Sequence, residues 1–229
     1  STDLIAAAAV RFIDEAPPDK PWFAYVPFNA PHSPFQAKDA DLKKYPQFKK
    51  PERRAYSAMV DSLDQAVGRI LAAVDRRAGA ANTLVLFASD NGGIPSTGSS
   101  NGPFRGGKLT VYEGGTRVCA AIRWPAGGLT DGKHFDGRIG YIDVLPTLLA
   151  AAGCAAPAEL DGINVLPILR GESQLPERPW FSYIHQGAEA HGSVHLGHWK
   201  LVARGDFFAE QPDTPPVLEL YDLTADPSE

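Results

Sequence analysis

Thr83-Leu84-Val85-Leu86-Phe87-Ala88-Ser89-Asp90-Asn91-Gly92-Gly93 is the stretch on which the fold turns. Its first six residues are a continuous, largely apolar run. Such a run predicts a strand covered on both faces, as in parallel sheets flanked by helices. The run stops abruptly in a polar, glycine-rich turn. Upstream, residues 55–78 place Met59, Leu63, Ala66, Val67, Ile70, Leu71 and Val74 on one stripe. Asp61, Asp64, Gln65 and Arg69 fall mostly off it, and Gly79 follows, so this segment predicts an amphipathic helix. Further upstream, the aromatic run Trp22–Phe28 predicts a second buried strand. A helix over 3–15, ended by Pro17-Pro18, precedes it. Helix, strand, helix, strand is a βαβ order, and it predicts that 22–28 and 83–88 run parallel in one sheet.

Downstream, 117–124 predicts another strand, and Ile142–Ala152 a short helix with Asp143 near its start and Gly153 at its end. The lysine-rich segment 36–52, interrupted by Pro46, predicts an exposed excursion. After about residue 172 the pattern shortens. Trp180–Ile184, Val194–Ala203 and Val217–Asp222 are strand-like runs with no long helix between them, which predicts a small antiparallel subdomain. The expected division is therefore 1–172 and 173–229.

The chain has 229 residues, 22 Lys plus Arg against 27 Asp plus Glu, and a net charge of −5. That balance excludes a generally basic nucleic-acid footprint. With 44% hydrophobic and 21% charged residues the composition is that of an ordinary globular protein. No apolar run approaches the roughly 18 residues that a membrane helix requires. Leu4–Val10, flanked by Asp3 and Arg11, is far too short. Two cysteines, Cys119 and Cys154, make neither a disulfide framework nor a cysteine metal site. Both are expected to be structural, with Cys119 buried as free cysteines usually are.

In open parallel α/β sheets, ligands bind beyond the carboxyl ends of the strands. Asp90 and Asn91 hold that position after one predicted strand, and His32 after the other. A carboxylate beside an amide oxygen suits a hard cation, Ca²⁺ or Mg²⁺, although Asp-Asn-Gly-Gly is equally the composition of a plain turn. His32 lies between Pro31 and Pro34, either as a surface residue or as a stiffly held donor to an anion or leaving group. Lys108 follows Arg105-Gly106-Gly107, where glycines permit close approach to a ligand. It is either a solvated lysine or the partner of an oxyanion. Leu109 after it excludes a nucleotide P-loop, which needs Ser or Thr there. His185, His191, His195 and His198 crowd the C-terminal region. On an alternating strand His191 and His195 share a face and His198 does not, so a rim role for His185 or His191 is favoured over a second metal site.

These segments together resemble the type I sulfatases (arylsulfatases) of the alkaline phosphatase-like superfamily. The likeness runs through Trp22–Val26 with Ala30-Pro31-His32-Ser33-Pro34, Tyr56–Asp64 with Val67-Gly68-Arg69-Ile70, and Ser89–Gly93. It continues through Arg105–Lys108, Tyr112–Val118, Leu160-Asp161-Gly162, Trp199-Lys200-Leu201, and Glu219–Leu223 with Asp226–Glu229. The form Asn101-Gly102-Pro103-Phe104-Arg105-Gly106-Gly107-Lys108 leans toward the arylsulfatase B and N-acetylgalactosamine sulfatase branch.

The resemblance implies an α/β sandwich with a mostly parallel sheet plus a small antiparallel α+β subdomain. It implies sulfuric ester hydrolysis of an aryl sulfate or sulfated sugar, with Asp90 and Asn91 as Ca²⁺ ligands (Mg²⁺ as the other hard-ion choice). His32 and Lys108 would act at the sulfate ester. Independently of the resemblance, Arg105, His185 and His191 are expected to bind substrate. The resemblance also implies a periplasmic, secreted or lysosomal setting.

The family's nucleophile, a formylglycine made within a C/S-x-P-x-R motif, has no counterpart in these residues. Cys119-Ala120-Ala121-Ile122-Arg123 has the spacing without the proline. The family's amino-terminal aspartate pair is absent as well. Ca²⁺ takes 6–8 oxygens and Asp90 with Asn91 supplies about three. The expectation is a C-terminal part of a longer sulfatase whose N-terminal half carries the nucleophile. A non-catalytic sulfatase-like binding module and a phosphate or phosphonate ester hydrolase of the same superfamily are the alternatives.

Overall fold

A computed structural model describes residues 1–130, 132–186, 189–205 and 215–229. These residues form two compact units: Ser1–Ala80 with Asn91–Arg117, and Ala81–Asp90 with Val118–Glu229.

The first unit is helical. Helix α1 (Thr2–Glu15) buries Ala6, Ala9 and Ile13, spaced three and four apart as one face of a helix requires. Helix α2 is short (Asp39–Leu42), and α3 is long (Pro51–Asp75), with Pro51 at its first turn, where a missing N–H costs nothing. Ile13, Ala73 and Val74 form the core, with Val10, Trp22 and Ile70 packed against it. Arg77 extends beyond α3 and donates to the carbonyls of Ile13 and Ala16. It thereby satisfies acceptors that α1 leaves open at its C-terminus. The 36–52 excursion is not uniformly exposed. Asp41 is buried, where desolvation would raise its carboxyl, but hydrogen bonds from Lys44, Gln65 and Lys38 outweigh that and hold it below the ordinary range. Helix α4 (Glu113–Thr116) closes the unit.

The predicted strand at 22–28 is extended but pairs with no strand among the described residues. Its alternation is real. Trp22 packs edge-on to Phe12, with centroids 6.1 Å apart, while Phe23 is 72% and Tyr25 80% exposed. One face thus lies on the helices, and no neighbour supplies the ladder that would make the segment a sheet strand.

In the second unit, β1 (Val85–Ala88) pairs antiparallel with β2 (Ala120–Arg123), Ala88 opposite Ala120. The expected parallel pairing of 22–28 with 83–88 is therefore corrected. Every ladder among the described residues is antiparallel. Strand β1 is not covered on both faces either, since Leu86 and Phe87 are exposed. Cys119 sits at the end of this thin ladder and is exposed rather than buried.

Helices α5 (Val144–Ala151) and α6 (Leu166–Leu169) lead to a four-stranded meander. Its strands are β3 (Trp180–Gln186), β4 (Glu189–Leu196), β5 (Trp199–Arg204) and β6 (Val217–Asp222), in that order. The predicted antiparallel subdomain is present. The single run expected over Val194–Ala203 is instead two strands, because Gly197, at φ 57, turns the chain between them. Among the described residues no helix is long and apolar enough to cross a membrane.

Candidate functional site

The end of β1 is held by two hydrogen bonds within the second unit. Ser89 N–H donates to Cys119 O at 3.2 Å, and the Tyr141 hydroxyl donates to Ser89 O at 2.6 Å. Asp90, the next residue, is exposed. Asn91 begins the returning segment of the first unit and is half-buried. Its amide Nδ2 donates to Gly92 O at 2.9 Å.

From Asn91 the chain folds into a knot of main chain. Gly92 N–H donates to Gly115 O at 3.0 Å, Gly114 N–H to Arg105 O at 2.7 Å, and Lys108 N–H to Gly93 O at 3.1 Å. These bonds bring the 91–93 turn, the 105–108 loop and α4 into direct contact. Backbones approach this closely only where no side chain intervenes. A Cβ on Gly92 would lie 1.7 Å from Gly114 O, and one on Gly107 would lie 2.4 Å from Gly93 O. Gly92→Ala is therefore expected to cost more than the roughly 1–3 kcal/mol usual for overpacking, because the obstacle is backbone and has no rotamer to retreat into. Thermal melting of the full-length protein checks this, and an unchanged midpoint would refute the packing described.

Lys108 emerges from this knot half-buried, and its ammonium has no hydrogen bond or ion pair among the described residues. Leu109 follows at φ 70, in the left-handed region that costs a side-chain-bearing residue roughly 1–2 kcal/mol. Thr110 secures the turn, its N–H and its hydroxyl both donating to Gly107 O, at 3.0 and 2.7 Å. Arg105 stacks its guanidinium over the Tyr112 ring at 4.1 Å. His32 lies on its own loop in the same unit and is exposed. Its Nδ1 donates to Ser33 O at 2.7 Å, which leaves Nε2 for other partners. No hydrogen bond joins His32 to Lys108 among the described residues.

The histidines of the second unit do not form one cluster. His191 lies directly opposite Ile184, and His185 opposite Ala190, so the two occupy opposite faces of the sheet. His195 shares the His191 face and is buried, and His198 belongs to the β4–β5 turn. Among the described residues no group of three or more His, Cys, Asp or Glu converges.

Two features escaped sequence reasoning. Asn101, in a Gly/Ser/Pro loop that reads as a turn, bonds to both Gly93 and Gly106. Arg178 forms a fork with Asp143 across 35 residues, a separation with no local signal.

Comparison with known proteins decides the family. Residues 1–154 match the family model described as Sulfatase, and residues 106–229 match one described as N-sulphoglucosamine sulphohydrolase, C-terminal. The chain belongs to the sulfatase family. Among its curated relatives, this sulfatase chain is 35% identical over 188 residues to human N-acetylgalactosamine-6-sulfatase, covering 80% of the chain and 34% of that protein. It is 37% identical over 192 residues to a sulfatase of Formosa agariphila, covering 76% and 34%. The crystal structure of Ps i-CgsB in complex with k-i-k-neocarrahexaose superposes with a TM-score of 0.87 at 34% identity, over 100% of this chain and 49% of that one. The chain thus spans about a third of the length of these curated relatives and about half of that solved chain. The family resemblance drawn from the motifs stands. The mixed α/β architecture stands with it, with antiparallel sheets among the described residues.

Proposed function

We propose that these residues are the C-terminal part of a Ca²⁺-dependent sulfatase that hydrolyses a sulfate ester. In this reading 1–172 belong to the catalytic core and 173–229 to a terminal subdomain. The observation that carries it is Lys108, a half-buried ammonium with no hydrogen bond or ion pair among the described residues, on a strained, glycine-walled loop; the Lys108 N–H is tied to Gly93 O, two residues beyond Asn91. Strain of this kind collects at functional sites.

Asp90 and Asn91 would hold the metal. Both offer oxygen donors, the Asn91 amide nitrogen being turned onto Gly92 O, which fits a hard cation in kind and makes up part of its shell. Bound there, the ion would supply positive charge to a sulfate oxygen. The formylglycine nucleophile would come from the N-terminal half of the same protein. Lys108 presents a compact charge to another sulfate oxygen, which gains importance as the S–O bond breaks. His32, as an imidazolium whose Nδ1–H is held by Ser33 O, would pass its Nε2 proton to the departing alcohol. Arg105, its guanidinium over the Tyr112 ring, and His185 and His191 would contact the rest of the substrate. A sulfated sugar is favoured over a simple aryl sulfate, since one relative is named for an N-acetylgalactosamine sulfate and a solved relative holds an oligosaccharide.

The test is turnover of paired aryl sulfate and aryl phosphate monoesters by the full-length protein, before and after chelation. The expected result is faster sulfate hydrolysis, lost on chelation and restored more fully by Ca²⁺ than by Mg²⁺. Faster phosphate hydrolysis would replace this reading by the phosphoesterase one. Turnover of neither ester, nor of a sulfated oligosaccharide, would leave the non-catalytic module.

A further inference from the structure

We infer that Asn101 is a positioning residue that sets the distance between the Asn91 turn and Lys108, an inference that rests on the sulfatase reading above. Its side-chain Oδ1 accepts from Gly93 N–H at 2.8 Å. Its Nδ2 donates to Gly93 O at 2.9 Å and to Gly106 O at 3.0 Å. One amide thus grips both polar groups of Gly93, two residues after Asn91, and the carbonyl of Gly106, two residues before Lys108.

Gly93 O is the junction of the clamp. It accepts from Asn101 Nδ2 and also from Lys108 N–H at 3.1 Å. The main chain of the lysine and the turn of the candidate metal ligand are therefore tied to one oxygen, and Asn101 fixes that oxygen. The amide also packs against Gly107, where an added Cβ would meet Nδ2 at 2.7 Å. Asn101 thus fills the space that the glycine leaves and prevents the loop from sliding toward the turn.

The chemistry requires asparagine. The position needs one acceptor and two donors within a short reach, and only a primary amide on a one-carbon stem supplies them. Aspartate would set a carboxylate oxygen against two carbonyl oxygens. Serine or threonine has a single donor, and glutamine places the amide a carbon too far. The two groups so aligned act on the same sulfate, and a misplacement of about 1 Å in such a pair costs roughly 100-fold in rate.

The experiment uses the full-length protein with Asn101→Ala, Asn101→Asp and, as reference, Lys108→Ala. Each variant is measured for kcat and KM on an aryl sulfate, and for the rise in melting temperature on adding Ca²⁺ to the chelated protein. In both Asn101 variants kcat is expected to fall roughly 10- to 100-fold with a smaller change in KM, and the Ca²⁺-induced rise is expected to shrink. A purely structural residue would lower the melting temperature but leave kcat, well below melting, and the Ca²⁺ response intact. That outcome, with Lys108→Ala inactive, overturns the clamp and leaves the sulfatase reading standing. Wild-type turnover by Lys108→Ala overturns the reading itself, and the catalytic role of the clamp falls with it. Should Asn101→Asp not fold, Asn101→Ala decides alone, since water can reach the three main-chain groups that it releases.

Discussion

Lys108→Ala in the full-length protein is expected to lower kcat for an aryl sulfate by roughly 100- to 1,000-fold, the usual loss when one preorganised charge-stabilising donor is removed. The side chain makes no hydrogen bond or ion pair among the described residues, so its removal leaves no internal partner stranded. The melting temperature should therefore hardly move, and the loss of rate belongs to the chemistry rather than to the fold. The effect should fall on kcat more than on KM, because negative charge on the ester grows as the S–O bond lengthens. Lys108→Arg should rescue little. A guanidinium is a wide planar fork, and this loop is packed so tightly that a Cβ on Gly107 would lie 2.4 Å from Gly93 O. Turnover of Lys108→Ala within about threefold of wild type, far inside that expected range, would remove the lysine from the mechanism.

The three longer helices, α1, α3 and α5, and the C-terminal strands were legible because their apolar spacing reports faces that are buried locally. Ala6, Ala9 and Ile13 on α1 and Ala66, Ala73 and Val74 on α3 meet within one unit. The runs at 22–28 and 83–88 were legible as extended chain but not as a parallel pair. Their patterns encode faces to be covered, and Phe23, Tyr25, Leu86 and Phe87 are exposed here. An apolar residue states that it has a neighbour, not which one, so βαβ order was taken as a pairing rule where the structure pairs β1 with β2. Cys119 failed for the same reason.

The Asp90-Asn91 turn and Lys108 were legible as residues, and the resemblance gave them roles. What joins Lys108 to that turn was not. Gly93 O and the Gly92–Gly114 approach are main-chain geometry, and Asn101 is a side chain bonded to main chain, so they leave only glycine and a polar loop residue in the sequence.

Asp143→Asn is expected to cost about 3–5 kcal/mol of stability, the usual effect of leaving one member of a buried ion pair without its partner. The Asp143 side chain is 2% exposed and that of Arg178 15%. The carboxylate takes the Arg178 fork at 2.8 and 2.5 Å and also accepts from Gly140 N–H at 3.0 Å and Ile163 N–H at 2.9 Å. It thus ties the start of α5 to the 163 segment and to the strand entry at 178.

Burial would raise this carboxyl, but the Arg178 hydrogen bonds and the two backbone donors outweigh it and hold the group below its ordinary value. The sign of the pH effect follows. A depressed folded pKa contributes stability that is fully present above the unfolded value of about 3.9 and is lost as pH falls through the folded value. Wild-type protein should therefore lose this contribution on acidification below about pH 4, and Asp143→Asn should show a flatter profile in that window.

An amide at 143 must also turn its NH₂ toward both an Arg178 N–H and a backbone N–H, whichever way it is flipped, so the isosteric change is worse than loss of charge alone. Arg178→Leu should cost less, since Asp143 keeps its two backbone donors. Adding Arg178→Leu to Asp143→Asn should recover part of the loss, because no unpaired buried guanidinium remains. Melting temperatures of the three variants across pH 3–7, an interval spanning the ordinary carboxylate range of about 4, check the scheme. A drop below that of an exposed ion pair, about 1 kcal/mol, with an unchanged acid limb would show that the fork holds nothing together.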